Sequence, residues 1–256
     1  MFRFFRNFRK KLLVKNNFSK YLLYATGEII LIVIGILIAL GINNWNQHRL
    51  AAKREKFYLE GLKTEFQRSK LKLENLIEVN RLNYKESQKI AGYIDSSHAL
   101  PTEDELAKSL FEAFSYEIAY NPNNSLLNEI LSSGGLQEIS NADLRLYLTS
   151  WDSYIRSVNR QEAALREQRE KVVDIFRAKD GSIKTILNKA GISAEIGLKK
   201  SDALPSNMPL IKTREFENNL LLYILTGIKT ETSHYQPLLQ EIDNILLIID
   251  DELEKA

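Results

Sequence analysis

The chain contains no cysteine, which excludes disulfides and thiolate metal sites outright. Compartment does not follow from that absence and has to come from topology. Histidine is nearly as scarce. His48, His98 and His234 stand far apart, with no HExxH or comparable metal spacing, and each reads as a surface residue. There is no GxGxxG, no Walker loop and no nucleophile elbow, and Gly134-Gly135 is explained by helix capping without a phosphate. No stretch alternates apolar and polar residues cleanly enough for a sheet. The acidic clusters Glu103-Asp104-Glu105 and Asp250-Asp251-Glu252 fall at expected helix ends, where the first complements the macrodipole and the second is solvated. The expectation is an all-α chain that is not an enzyme and takes no metal or cofactor.

Acid is missing from the first twenty residues, where Arg3, Arg6, Arg9, Lys10, Lys11, Lys15 and Lys20 supply seven positive charges. With a formal total of +2, the remainder of the chain carries −5. A basic tail thus precedes a mildly acidic body, and an electrostatic case for nucleic-acid binding by that body fails. Within the tail, Phe4, Phe5, Phe8 and Leu12 share one helical face and Arg3, Arg6 and Lys10 the opposite one. That pattern suits either a short interfacial helix on anionic lipid or an unstructured topogenic tail.

What the chain has is one long apolar run, YLLYATGEIILIVIGILIALGI from Tyr21 to Ile42, interrupted by a single charge at Glu28. From Tyr24 to Trp45 a helix is about 32 Å long, close to the hydrocarbon thickness of a bilayer, with aromatics at both interfaces. A cleaved signal peptide is the competing reading, because Ala39-Leu40-Gly41 loosely resembles a small-x-small cleavage site. Against it, the apolar stretch extends back to Tyr21. The charge asymmetry puts the N-terminus in the cytoplasm and the body across the membrane, in the periplasm of a Gram-negative inner membrane. The organisation expected is a basic tail at 1–20, a transmembrane helix at 21–45 and a helical bundle at 46–256.

Glu28 lies within ~40° of Gly35 and Ala39 on a helical projection. A carboxylate in hydrocarbon costs about 2.5–3.5 kcal/mol unless neutralised, paired or near the surface. Glu28, Gly35 and Ala39 therefore form a candidate packing face toward a partner helix. The alternative is that Glu28, about one turn from Tyr24, snorkels to the interface.

Counting by sevens finds seams beyond the span. Leu144, Trp151, Val158, Leu165 and Val172 form one unbroken row, flanked either by Tyr147, Tyr154 and Ile175 or by Leu148, Ile155 and Phe176. Leu221, Ile228, Tyr235, Ile242 and Ile249 form a second, with Leu238 and Ile245 beside it. Leu59, Phe66 and Leu73, with Leu62, Leu76 and Ile90, form a weaker third, diluted by Ser69, Asn80, Asn83 and Ser87. Those polar residues either fix register or line a cavity. Rods of about 40 residues, ~60 Å each, either pair between chains or fold back on each other, and turn-rich links at Ser96 to Pro101 and Ser201 to Pro209 favour an antiparallel bundle within one chain. Pro237 predicts a kink across which the register continues. Between the first two rods, Thr102 to Glu105 forms a capping box that opens a helix running to about Tyr120. A short helix spans Ser125 to Leu131, Ser140 to Asp143 caps the central rod, and Ile192 to Ile211 reads as irregular.

The segments MFRFFRNFRKKLL and NNFSKYLLYATGEIILIVIGILIALGINNWNQ resemble the N-terminus of an uncharacterised family of Gram-negative bacterial single-pass membrane proteins. YNPNNSLLNEILSSGGLQEISNADLRLYL, from Tyr120 to Leu148, and LLQEIDNILLIIDDEL are similar to that family as well. The resemblance implies an uncleaved anchor and brings no activity, ligand or cofactor. The function expected is a membrane-anchored module that meets a protein partner or a second copy of itself through its bundle. The alternative is a periplasmic ligand-sensing bundle whose output belongs to another protein.

Overall fold

The computed structural model describes residues 18–94, 100–199, 201 and 203–255. Residues 1–17 of the basic tail, with its aromatic face, and the link holding Ser96 and His98, lie outside them. Among the described residues the protein is all-helical, with no strand. The chain divides between Lys56 and Phe57 into two compact units.

Helix α1 runs from Phe18 to Ile94. All five prolines come after residue 100, so nothing in this stretch removes a backbone donor, and its glycines only weaken the helix locally. The apolar run and the first expected rod are thus parts of one helix. In the first unit, Ile29 to Ile42 are exposed on every side, and by length and composition this is a helix able to cross a membrane. Just past the run, the Arg49 guanidinium lies 5.3 Å from the Trp45 ring centre.

In the second unit α1 buries a single stripe: Leu59, Leu62, Phe66, Ser69, Leu73, Ile77, Asn80, Asn83, Ser87 and Ile90. The steps of three and four residues are those of one helical face. Helix α2, Glu103–Phe114, begins with a capping box in which Thr102 Oγ1 accepts from Glu105 N at 3.2 Å and Glu105 Oε2 from Thr102 N at 2.8 Å. It ends six residues earlier than Tyr120, where its helix was expected to stop. From Ser115 to Asn124 the chain is neither helix nor strand, with Ile118 and Tyr120 buried and Glu117, Ala119 and Asn121 exposed. That period of two suits an extended segment and no helix. We call residues 115–124 the strap.

Helix α3, Ser125–Ser133, ends at Gly134, whose φ of 79° is the left-handed cap that glycine adopts without strain. A 3₁₀ turn, Gly135–Glu138, leads on to α4, Ala142–Arg177, which Asn141 caps through Leu144 N at 2.9 Å. Short helices follow at α5, Ile183–Lys189, and α6, Met208–Ile211, the second within the stretch expected to be irregular. Helix α7, Arg214–Thr230, passes into a π-helical turn, Glu231–Tyr235, and then α8, Gln236–Lys255.

The row Leu144, Trp151, Val158, Leu165 and Val172 is wholly buried. The last row needs correction, because Leu221 is 50% exposed and Ile228 only partly buried, although Tyr235, Ile242 and Ile249 are buried as expected. Ahead of the turn the buried residues are Leu220 and Gly227, one position earlier. The π turn inserts one extra residue, and Gln236 N bonds to Glu231 O across five residues. Pro237 supplies the reason, since its missing N–H and its ring both oppose an ordinary α-turn there. The register therefore steps by one residue where continuity was expected.

Contacts among these elements follow a consistent order. Along α4, Asn141, Tyr154, Glu162 and Phe176 meet Glu252, Glu241, Tyr235 and Phe216 respectively. Along α1, Lys63, Lys70 and Asn80 meet Asp250, Asp243 and Gly227. Phe66 sets its ring edge-on to Trp151 at 5.0 Å.

Candidate functional site

Ser69, Asn80, Glu162, Thr230 and Glu231 are buried where the strap and the π turn meet α1 and α4. A strap with neither helix nor sheet leaves its backbone groups without their usual partners, and buried groups of that kind have to be bonded. Side chains from the two long helices supply the bonds. Lys72 Nζ donates to Asn121 O at 3.0 Å, Ser69 Oγ accepts from Asn123 N at 2.9 Å, and Arg169 donates to Phe114 O. Trp151 Nε1 donates to Asn124 Oδ1 at 3.0 Å, and the Tyr120 hydroxyl returns a bond to Ser69 O at 3.1 Å.

Glu162 is the centre of this arrangement. It is 4% exposed, and its Oε1 accepts from Tyr120 N at 2.9 Å and from the Tyr235 hydroxyl at 2.6 Å. One carboxylate thus ties strap, α4 and π turn together. Burial pushes the Glu162 carboxyl above its ordinary value, against the opposing pull of the two hydrogen bonds and of Arg166. Burial likewise raises the Tyr120 and Tyr235 phenols and pushes Tyr223 up to about 12.

The π turn is held from α1 as well. Buried Glu231 accepts from Arg81 and from the Tyr84 hydroxyl at 3.0 Å, and Asn80 Nδ2 donates to Gly227 O at 2.9 Å. Glu231 raises Arg81, while Tyr84 is raised chiefly by burial. From α4, Gln161 Nε2 donates to Thr230 Oγ1 at 3.1 Å. Gly227 sits so close to α1 that an added Cβ would stand 3.2 Å from Tyr84 Cβ. His234, in the same turn, is pushed below its ordinary value by burial and by the Arg160 charge.

Of the residues singled out from sequence, Ser69, Asn80, Asn83 and Ser87 are all buried. Ser69 and Asn80 hold backbone groups of the strap and of α7, and Ser87 Oγ donates to Asn83 O at 2.8 Å within α1. Ser69 and Asn80 thus tie α1 to the strap and to α7. In the first unit Glu28 is half-buried while Gly35 and Ala39 are exposed, and a Cβ at Gly35 would meet nothing within 4 Å. Among the described residues, no group of three or more His, Cys, Asp or Glu is placed to hold a metal.

Sequence reasoning passed over Glu162 and Arg169. The signal was there: Leu148, Ile155, Glu162, Arg169 and Phe176 are spaced by seven, so two charges occupy an otherwise apolar row. A charge at such a position has to be paired, satisfied or functional.

A cavity of about 160 Å³ lies between α2, α4 and α5, lined among others by Leu110, Phe111, Phe114, Val173, Phe176 and Ile186. Residues 28–185 match the model of a family described as a family of unknown function, DUF6090. No curated protein and no solved structure matches the chain.

Proposed function

We propose, for a chain that belongs to the DUF6090 family of unknown function, a membrane-anchored, non-enzymatic helical module that binds a protein partner or a second copy of itself. The anchor is the apolar part of α1, with the N-terminus cytoplasmic and residues 46–256 in the periplasm of a Gram-negative cell. The domain beyond it is an antiparallel bundle. Descending against ascending residue numbers in the α4 and α1 contacts support that arrangement. The observation that carries the functional reading is how the interior polar groups are used. Ser69, Asn80, Arg169, Glu162 and Glu231 bond to backbone or side chains of the same domain. They are spent on holding the bundle together, which suits a scaffold whose outer surface does the work.

Mild-detergent pulldown of the full chain with mass spectrometry tests the reading. A specific partner or a defined oligomer is expected, and recovery of the bait alone as a monomer overturns it. Topology is tested by reporter fusions after Ala256, which are expected to report an extracytoplasmic location. Within the span, Gly35→Leu is expected to weaken any association that runs through Glu28, Gly35 and Ala39.

Ligand sensing is the second reading, favoured by the apolar cavity between α2, α4 and α5. At about 160 Å³ it is below the volume range of drug-sized ligand sites and suits a small apolar molecule. A thermal-shift screen of small apolar compounds against the full chain tests it. Stabilisation that Phe111→Trp abolishes is the expected result, and no stabilisation rejects it.

A further inference from the structure

We infer that Glu162 is a proton-binding latch, taking up a proton as the medium acidifies and holding the junction of strap, α4 and π turn more firmly once it has done so. This inference stands apart from the partner reading.

The geometry carries it. Both donors to Glu162, the Tyr120 N–H and the Tyr235 O–H, are neutral. Arg166, one turn along α4, is half exposed and engages Glu117 of the strap at 2.6 Å. Arg169, on the same helix, bonds to Glu170 and Phe114 O through its terminal nitrogens, while its buried Nε makes no hydrogen bond. From the other elements, Tyr223 of α7, Tyr116 of the strap and the Tyr235 ring face the region, and Lys72 of α1 reaches the strap at Asn121 O. Beside the carboxyl is a cavity of about 10 Å³, lined also by Arg166, Arg169 and Tyr223, enough for a single water. A buried carboxylate held by neutral donors is costly while charged, because hydrogen bonds from neutral groups return only part of its lost hydration.

Protonation is simple to balance. The carboxylate takes one proton from solvent and becomes neutral, and it still accepts the Tyr120 N–H through an oxygen. The Tyr235 hydroxyl, able to donate or accept, turns to receive the new O–H. The three tyrosines raised by burial stay neutral throughout, and His234, pushed below its ordinary value, charges late.

The sign follows from burial, which raises the native carboxyl above its unfolded value. Between those two values the native state binds more protons than the unfolded one, so stability falls as pH rises. The added stability is complete below the unfolded value and is lost as pH passes through the native one. Ion-paired carboxylates behave oppositely.

The test uses the full chain in nanodiscs. Glutamate ¹³C-carboxyl NMR from pH 4 to 8 is expected to show one carboxyl titrating above the ordinary range, absent in Glu162→Gln. Hydrogen-exchange protection at the Tyr120 amide is expected to rise on going from pH 7.5 to 5, up to tenfold per unit by which the native value is raised. In Glu162→Gln it is expected to be high at both pH values and flat. A Glu162 titration in the ordinary range, or an unchanged pH response in Glu162→Gln, overturns the inference. If that variant does not fold, the wild-type titration alone decides.

Discussion

The two parts of α1, before Lys56 and after Phe57, share one secondary structure and solve different problems. Before Lys56 the apolar side chains cover every face and lie exposed, whereas after Phe57 they withdraw to one stripe that is buried. Even that stripe is interrupted by Ser69, Asn80, Asn83 and Ser87. The difference teaches that the absence of proline lets α1 run unbroken through both parts, while the surroundings a helix is built for are written in how its apolar residues are distributed.

The largest break of the comparison is expected in the buried stripe. Phe66→Ala removes the ring packed edge-on to Trp151 and is expected to destabilise the domain by about 3–5 kcal/mol, read by denaturant unfolding, with membrane association retained. Ile34→Arg should do the reverse. It costs about 3 kcal/mol of membrane insertion, measured as membrane partition, and leaves the denaturation midpoint of the domain near wild type. Asn80→Ala sharpens the point, since it removes the side-chain donor to Gly227 O, which keeps only the Glu231 backbone N–H, and is expected to cost about 0.5–1.5 kcal/mol. A polar residue in the seam then proves stabilising by virtue of its partner. Thr102→Ala, which breaks the capping box of α2, is expected to cost no more than that, about 1 kcal/mol.

Much of the fold was legible because heptad spacing reports burial directly. The row from Leu144 to Val172 and the capping residue Thr102 lie where spacing and cap chemistry place them, and within the stretch Ser140 to Asp143 expected to cap the central rod it is Asn141 that does so. The failures have particular causes. Counting back from Tyr235 by sevens reaches Ile228 and Leu221, and the π turn makes that count wrong by one. A proline in sequence announces a disturbance without saying whether the helix bends or takes in a residue. The end of α2 was misplaced because Phe114 O accepts a bond from Arg169, 55 residues away, a partner that no local pattern contains. Glu162 was hidden for the same reason: its donors come from the strap and the π turn, at separations of 42 and 73 residues. The span could be read as a candidate anchor since it depends on composition alone.

Helix α3 depends on one such distant contact in a way that bears on the order of folding. It is nine residues long, and Asn124, in its cap position, makes no capping bond, its side-chain oxygen being taken by Trp151. The first free amides, Leu126 N and Leu127 N, donate instead to the Glu65 carboxylate at 2.7 and 3.1 Å. A helix so short does not nucleate alone in water, and this one borrows its start from a residue some sixty positions earlier. It should therefore consolidate late, after α1 is in place, and Glu65→Gln should speed local opening of α3 more than it slows the collapse of the long helices.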